Sequence, residues 1–369
     1  MNLQIAIIIS FFGLCVTIPI FVRYFAYTNA PAWFKCLSFI ICCLVAILPI
    51  FASRHWATMY GKYFSFVEHS LYFIYIFAVL LFAITFMRDI LWVFLHLFKL
   101  LPSPFNPIIF TKVNIITAFL AILCTFWSFY EGTKVPDEKH IFLSSPKLTT
   151  NKTVVVLSDL HISRTINPSK IQTIIDKTNA LQPDLVLLAG DILDDDINLI
   201  DNIASKLSQL KAKEGVYFVS GNHEFYIGYQ KSMKTLEKIG LTSLENKKIT
   251  LEPTFYLAGV SDIPTSKRFL GGSKAKEVLS NIPQDAYTLF VSHSPTALNL
   301  PFDLQVSGHT HGGQIFPFHF FSWLGNKYLL AGFYPNQRIY ISRGSGQWGP
   351  QMRFLAPSEI TVLHLKRKN

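Results

Sequence analysis

Five short motifs in the second half of the chain carry residue types that bind metal ions and move protons. They are Ser158-Asp159-Leu160-His161, Ala189-Gly190-Asp191, Ser220-Gly221-Asn222-His223-Glu224, Val291-Ser292-His293-Ser294 and Ser307-Gly308-His309-Thr310-His311. Oxygen and imidazole donors brought from several loops to one point are what metal-assisted hydrolysis requires. Each motif also has a plainer reading. Asp159 and His161 could form a hydrogen-bonded pair or a loop cap. Asp191 could belong to a helix-initiating turn, with Asp191 or Asp194 as N-cap. Asn222 could make an Asx-turn, and His293 could be a buried ring bonded to backbone. His309 and His311, alternating in a Gly-rich loop, are costly to pack and useful for chelation. Asp194, Asp195 and Asp196 read as a solvated helix start whose charges suit the positive end of the helix dipole, and they stand outside the expected site.

The elements that must position these side chains alternate along the chain. Short apolar runs at 154–157, 184–188 and 216–219 read as buried strands, and 168–181, 197–210 and 230–239 as helices with one apolar face. That order predicts parallel strands covered by helices. Further strands are expected at 248–251, 255–260, 287–291, 304–306, 338–342 and 359–365, with part of the fold antiparallel. Asp159, Asp191, Asn222, His293 and His309 each follow an apolar strand, and ligands of open α/β sheets bind in the crevice beyond the strands' carboxyl ends. Gly190, Gly221 and Gly308 are expected to let the chain turn sharply there.

The first half is different in kind. Of the 369 residues 50% are hydrophobic and only 15% charged, against about 25% charged in a soluble domain. The apolar excess lies in residues 1–130, where windows at 3–22, 33–51, 66–87 and 108–130 are long enough to cross a bilayer as helix. The third is able to run on through 90–101, past Arg88 and Asp89. The first is read as an uncleaved anchor, because it lacks a basic n-region and further spans follow. Trp33, Trp56, Tyr60, Tyr63, Trp127 and Tyr130 near the span ends suit an interfacial aromatic belt. Lys and Arg are nearly balanced between the two sides, so the side that faces the second domain stays open.

A polar linker, 131–151, separates this region from a domain over 152–369. All five cysteines (Cys15, Cys36, Cys42, Cys43 and Cys124) precede it, which excludes thiolate ligands and disulfides from the second domain. Part of the net charge of +10 borders the spans, where anionic headgroups are the expected partners. The basic residues of the second half are dispersed, and no nucleic-acid partner is expected.

The series Asp-x-His, Gly-Asp, Gly-Asn-His-Glu, Ser-His and Gly-His-Thr-His resembles the calcineurin-like metallophosphoesterase superfamily over roughly 152–366. Ser307–Gln314, Tyr340-Ile341-Ser342-Arg343-Gly344 and Ser358-Glu359-Ile360-Thr361 resemble its membrane-associated bacterial branch. That branch usually has Pro-Glu-Ile near the C-terminus, where this chain has an inserted Ser358. The resemblance implies a four-layer αββα sandwich, a central pair of sheets between helices. It implies that Asp159, His161, Asp191 and His311 hold one divalent ion. It likewise implies that Asp191, Asn222, His293 and His309 hold the other, with Asp191 bridging. Mn, Fe and Zn all suit such donors. It makes His223 the general acid or charge stabiliser at the leaving oxygen, with Glu224 orienting its ring or serving as a helix-start carboxylate.

A phosphoesterase fixed in a membrane, expected to be a bacterial inner membrane, is expected to act on a lipid-linked phosphate or pyrophosphate. Relatives in the superfamily cleave UDP-2,3-diacylglucosamine in lipid A synthesis, which makes that substrate a candidate by analogy. The aromatic run Ile315–Leu324 reads either as an apolar lip for acyl chains or as an internal cover over the sheet. The competing readings are a broad phosphodiesterase or phosphomonoesterase acting on nucleotides or envelope phosphates, a membrane scaffold or sensor with a structural metal, and a transport unit carrying an accessory hydrolase. With only Glu68, Asp89 and Glu131 in or beside the helices, an ion path has little to work with.

Overall fold

A computed structural model describes residues 3–102, 107–269, 274–296 and 299–368. It divides into two compact units, one comprising Met1–Glu131 with Gly349–Phe354 and the other Gly132–Trp348 with Leu355–Asn369.

In the first unit, four helices among the described residues are long and apolar enough to cross a membrane. They are Leu3–Phe21, Ala32–Phe51, Phe64–Leu97 and Pro107–Thr133. The third does continue past Arg88 and Asp89, to Leu97. Its carboxylate is paired there, which is how a helix tolerates charge at that position.

The second unit is built on two six-stranded sheets. The strands of the first are β1 (Asp137–Ser145), β2 (Lys152–Leu157), β3 (Leu185–Ala189), β4 (Val216–Val219), β5 (Thr242–Ser243) and β12 (Glu359–Arg367). Those of the second are β6 (Lys247–Glu252), β7 (Phe255–Gly259), β8 (Tyr287–Val291), β9 (Leu304–Ser307), β10 (Gly332–Tyr334) and β11 (Ile339–Ile341). The spatial orders are β1-β12-β2-β3-β4-β5 and β10-β11-β9-β8-β7-β6. β2 to β5 are parallel, as are β7, β8, β9 and β11, while β12 against β2, β6 against β7 and β10 against β11 are antiparallel.

Side chains alternate across a strand, and here both faces are buried. Val155, Leu157, Val186 and Leu188 pack with Ile171, Ile174 and Ile200 of the helices on one side. Val154, Val156, Leu185 and Leu187 meet Leu257, Leu289, Val291 and Val306 of the facing sheet. On the far side of that sheet, Ala258, Phe290 and Phe302 pack with Val278 and Leu279. These layers are the four expected.

Two expectations need correction. The middle of the linker expected at 131–151 is β1, whose Asp137–Ser145 pair in parallel register with Glu359–Arg367. An edge strand with one exposed face can be built from polar residues, so composition hid it. The helix expected at 197–210 is α-helical only over Ile197–Ala204 and tightens to a 3-10 turn over Ser205–Gln209.

Candidate metal centre

The polar side chains converge beyond the carboxyl ends of five strands, β2, β3 and β4 of one sheet and β8 and β9 of the other. The chain leaves β2 and β3 in tandem, with the Asp159 amide bonded to the Gly190 carbonyl at 3.0 Å and His161 to Asp191 at 3.0 Å. Asp159, His161, Asp191, His309 and His311 all have positive φ, between 46° and 73°. Non-glycine residues adopt this region rarely, at about 1–3 kcal/mol each, and the cost persists where surrounding structure enforces it.

Of the three glycines expected to turn the chain, only Gly190 has positive φ. Gly221 and Gly308 serve close approach instead. A Cβ on Gly221 would overlap the Asp191 carboxylate, and one on Gly308 would overlap that of Asp159. The backbone of one motif thus abuts the carboxylate of another.

The distances gather the donors into overlapping groups, with the Asp191 carboxylate near both His161 and His293. His161 Nε2 lies 3.1 Å from His311 Nε2, and His311 Nε2 lies 3.4 Å from Asp159 Oδ1. Asp191 Oδ2 lies 3.6 Å from His161 Nε2 and 3.2 Å from His293 Nε2. His309 Nδ1 lies 2.9 Å from Asn222 Oδ1. Donor atoms of Asp159, His161 and His311 fall within 4.8 Å of one another, as do those of Asp191, His293 and His309, and those of His161, Asp194 and His223. His293 Nε2 is buried with no hydrogen-bond partner, while its Nδ1 is tied to the Ala189 carbonyl at 2.8 Å. An orphaned buried ring nitrogen facing a carboxylate, and two ring nitrogens facing each other, suit a shared cation. The donors present therefore fit divalent metal ions.

The charges around the centre support one another. Burial alone would raise the Asp191 carboxyl, but the rings of His293, His223 and His161 hold it well below the usual carboxylate range. Burial would lower His293, and Asp191 outweighs it, placing that ring well above the ordinary histidine value. His309 is pushed down by burial and by His293. Asp262, just after β7, accepts from Ser294 N at 3.2 Å and from Ser294 Oγ at 2.5 Å, fixing the loop that carries His293.

The acidic run differs from its expected role. Only Asp196 caps the helix, accepting from Asn198 N at 3.0 Å. Asp195 is buried and grips Arg164 Nε and Nη2 at 2.8 Å each. Asp194 is buried with Oδ1 2.6 Å from His223 Nδ1 and Oδ2 3.4 Å from His161 Nδ1. Burial lowers His223, but Asp194 and Asp191 outweigh it and raise the ring to about 9.

Glu224 is not what holds the His223 ring. Its carboxylate accepts from the amides of Asp191 (3.1 Å), Ile192 (2.8 Å), Leu193 (2.9 Å) and Gly221 (2.7 Å), tying the β3 loop to the β4 loop. Burial together with Asp191 raises it to about 7, against the pull of those amides. Two aromatic rings flank His223, Tyr226 at 5.4 Å and Trp348 at 6.0 Å between centroids, and neither stood out in the sequence.

The aromatic run after the metal loop does not cover the sheet. Ile315 is buried, but the helix Phe318–Gly325 leaves Phe320 57% and Phe321 53% exposed, with Trp323 and Leu324 exposed beside them. Ser322 Oγ of this helix meets the carbonyl of Thr310, between the two metal-loop histidines, at 3.4 Å.

Residues 152–313 match the family model for calcineurin-like phosphoesterases. A metallophosphoesterase of Helicobacter pylori is 35% identical over 260 residues, covering 68% of this chain and 70% of its own length. One of Campylobacter jejuni is 30% identical over 295 residues, 78% of this chain and 79% of its own. A zebrafish (Danio rerio) relative, named as a transmembrane protein with metallophosphoesterase domain, is 30% identical over 270 residues, 69% of this chain and 62% of its own. The chain belongs to the calcineurin-like metallophosphoesterase family. It is a membrane protein with a metal-dependent phosphoester hydrolase domain.

Proposed function

We propose that this protein hydrolyses a phosphoester or phosphoanhydride bond of a lipid-linked substrate, at a centre of two divalent ions that share Asp191. Asp159, His161, Asp191 and His311 would hold one ion, and Asp191, Asn222, His293 and His309 the other. Divalent ions bound there supply Lewis acidity toward phosphoryl oxygens and activate water at neutral pH. Mn, Fe and Zn suit the donors equally.

The chain's own groups do the remaining work. His223 stands beside the ligand cluster, charged by Asp194 and placed to give a proton to the leaving oxygen. Glu224 holds the backbone on either side of Asp191, so that carboxylate needs no reorganisation when charge develops. Tyr226 and Trp348 limit water around the His223 ring.

The single observation that carries the lipid part is the exposed aromatic helix against the metal loop. Contiguous apolar surface of this kind is unfavourable in water and is covered by an acyl chain or a lipid surface. By analogy, a diacylated sugar-nucleotide pyrophosphate such as UDP-2,3-diacylglucosamine, met in a bacterial inner membrane, is the first candidate. The test is turnover of the metal-replete full chain on lipid-linked pyrophosphates, nucleotide diesters and phosphomonoesters. Turnover of the lipid-linked class above the others supports the reading. Turnover of nucleotide diesters alone, which the aromatic faces of Tyr226 and Trp348 would suit, overturns it.

A further inference from the structure

We infer that Gln314 is a positioning residue for the reaction: it holds Trp348 against the His223 ring and so keeps that ring aimed at the leaving group. The inference rests on the reading of His223 as the proton donor. Gln314 follows His311 by three residues in the metal loop. Both polar ends of its carboxamide are used on one residue. Its Nε2 donates to the Trp348 carbonyl at 2.8 Å, and its Oε1 accepts from the Trp348 amide at 3.1 Å. The side chain thus bonds Trp348 as a neighbouring strand would, through a paired donor and acceptor. Gln314 does so with φ at 52°, a region that non-glycine residues adopt rarely and that surrounding structure must enforce.

The residues that lead into Trp348 are fixed to the loop after β2. Ser345 N donates to the Ser158 carbonyl at 2.8 Å, and Gly346 N to that of Asp159 at 3.1 Å. A Cβ on Gly346 would overlap the carbonyls of Asp159 and Leu160. The buried Lys170 donates from Nζ to Gln347 Oε1 at 3.0 Å. Trp348 is therefore reached by two ties, its own segment on the β2 loop and the Gln314 amide on the metal loop.

Around His223, Asp194 takes Nδ1 at 2.6 Å, and Nε2 lies 3.9 Å from Asp191 Oδ2, facing the centre. The rings of His161, Tyr226 and Trp348 stand at 4.5, 5.4 and 6.0 Å between centroids, inclined by 88°, 62° and 70°. Tyr226 shares the short helix Asn222–Ile227 with His223, and His161 is placed with the other ligands. Trp348 comes from a distant segment and needs a tie of its own. His223 acts at one step. As a water oxygen bonds to phosphorus, the P–O bond to the leaving group breaks and its electron pair stays on the leaving oxygen. That oxygen takes the Nε2 proton, which the ring regains from solvent, so that one water is added across the bond. A displaced ring fails at this step, and fails most where the leaving oxygen most needs a proton.

The test compares methyl p-nitrophenyl phosphate with methyl phenyl phosphate on the metal-loaded 369-residue chain. Phenol, with a pKa of about 10 like the tyrosine side chain, needs the proton more than p-nitrophenol, whose nitro group spreads the charge. Gln314→Ala should lower kcat on the phenyl ester about tenfold more than on the p-nitrophenyl ester, with metal content unchanged. Trp348→Leu should show the same selectivity, and Trp348→Phe, which keeps a ring, less of it. The double variant Gln314→Ala with Trp348→Leu should be no more selective than Trp348→Leu, because the amide acts through the ring. If Gln314→Ala does not fold, Gln314→Glu decides: it keeps the bond from the Trp348 amide and should show a smaller loss of the same selectivity. Equal losses on the two esters in these Gln314 variants overturn the inference, as do selectivities that multiply in the double variant. His223→Ala, measured beside them, separates the two readings. Equal losses on both esters there would remove His223 as proton donor, whereas a selective loss there with none in Gln314→Ala removes the role of Gln314 alone.

Discussion

Asp194 Oδ1 lies 2.6 Å from Nδ1 of His223, and both side chains are buried beside the ligand cluster. A buried carboxylate so placed orients the ring, fixes which nitrogen faces the substrate and keeps the ring charged. Asp191 adds to the last effect.

Asp194→Asn should lower turnover by about 10- to 100-fold, the range for loss of a partner that orients a reacting group. The sign of its pH effect follows from the raised value of about 9. A proton donor works below its pKa, and removing a carboxylate brings that value down. The alkaline limb of kcat should therefore move to lower pH. Rate profiles of the two proteins check this, and superimposable limbs would contradict it.

His223→Ala should reduce kcat by ~10²–10⁴-fold, the range for a general acid. Metal content should be unchanged, because His223 lies 3.9 Å from Asp191 Oδ2 and outside both proposed ligand sets. Elemental analysis beside single-turnover rates separates the two effects.

Much of this was legible in the sequence because the donors lie at the ends of apolar runs buried on both faces. Val154–Leu157, Leu185–Ala189 and Tyr287–Val291 are unmistakable as strands, so Asp159, Asp191 and His293 could be placed at their ends. What stayed hidden depends on contacts between residues distant in the chain. β1 is polar and exists through its register with β12, more than two hundred residues away. Asp194 looks like any acidic helix start until the fold sets it against His223. Glu224 directs its carboxylate to four amides, something no spacing rule announces. The exposure of Phe320 and Phe321 was likewise open, since an apolar run reads the same in a core or on a surface.

Glu224→Gln should destabilise the domain by about 1–3 kcal/mol, because an amide presents a donor where two backbone N–H groups need an acceptor. Its effect on the fold should exceed that of Asp194→Asn. Urea unfolding followed by tryptophan fluorescence would show the order, and the reverse order would contradict the role given to Glu224.

Gly308→Ala forces a Cβ into the Asp159 carboxylate, and such overpacking costs typically ~1–3 kcal/mol. The variant should lose metal affinity along with thermal stability. Unchanged metal affinity with wild-type Tm would mean that the close approach is dispensable.

Replacing Phe320, Phe321 and Trp323 together with Ser should reduce turnover of a lipid-linked substrate by at least about tenfold, since each buried aromatic contributes on the order of 1.5–3 kcal/mol. Turnover of a small chromogenic phosphodiester should change little. Equal losses on both would assign the aromatic helix to folding rather than to lipid.

The most direct test of the central claim is elemental analysis of the purified 369-residue chain and of its Asp191→Asn variant after incubation with Mn, Fe or Zn. A carboxylate shared between two ions predicts two divalent ions per chain in the wild type and fewer than one in the variant. Fewer than one in the wild type, or two in both, would contradict it.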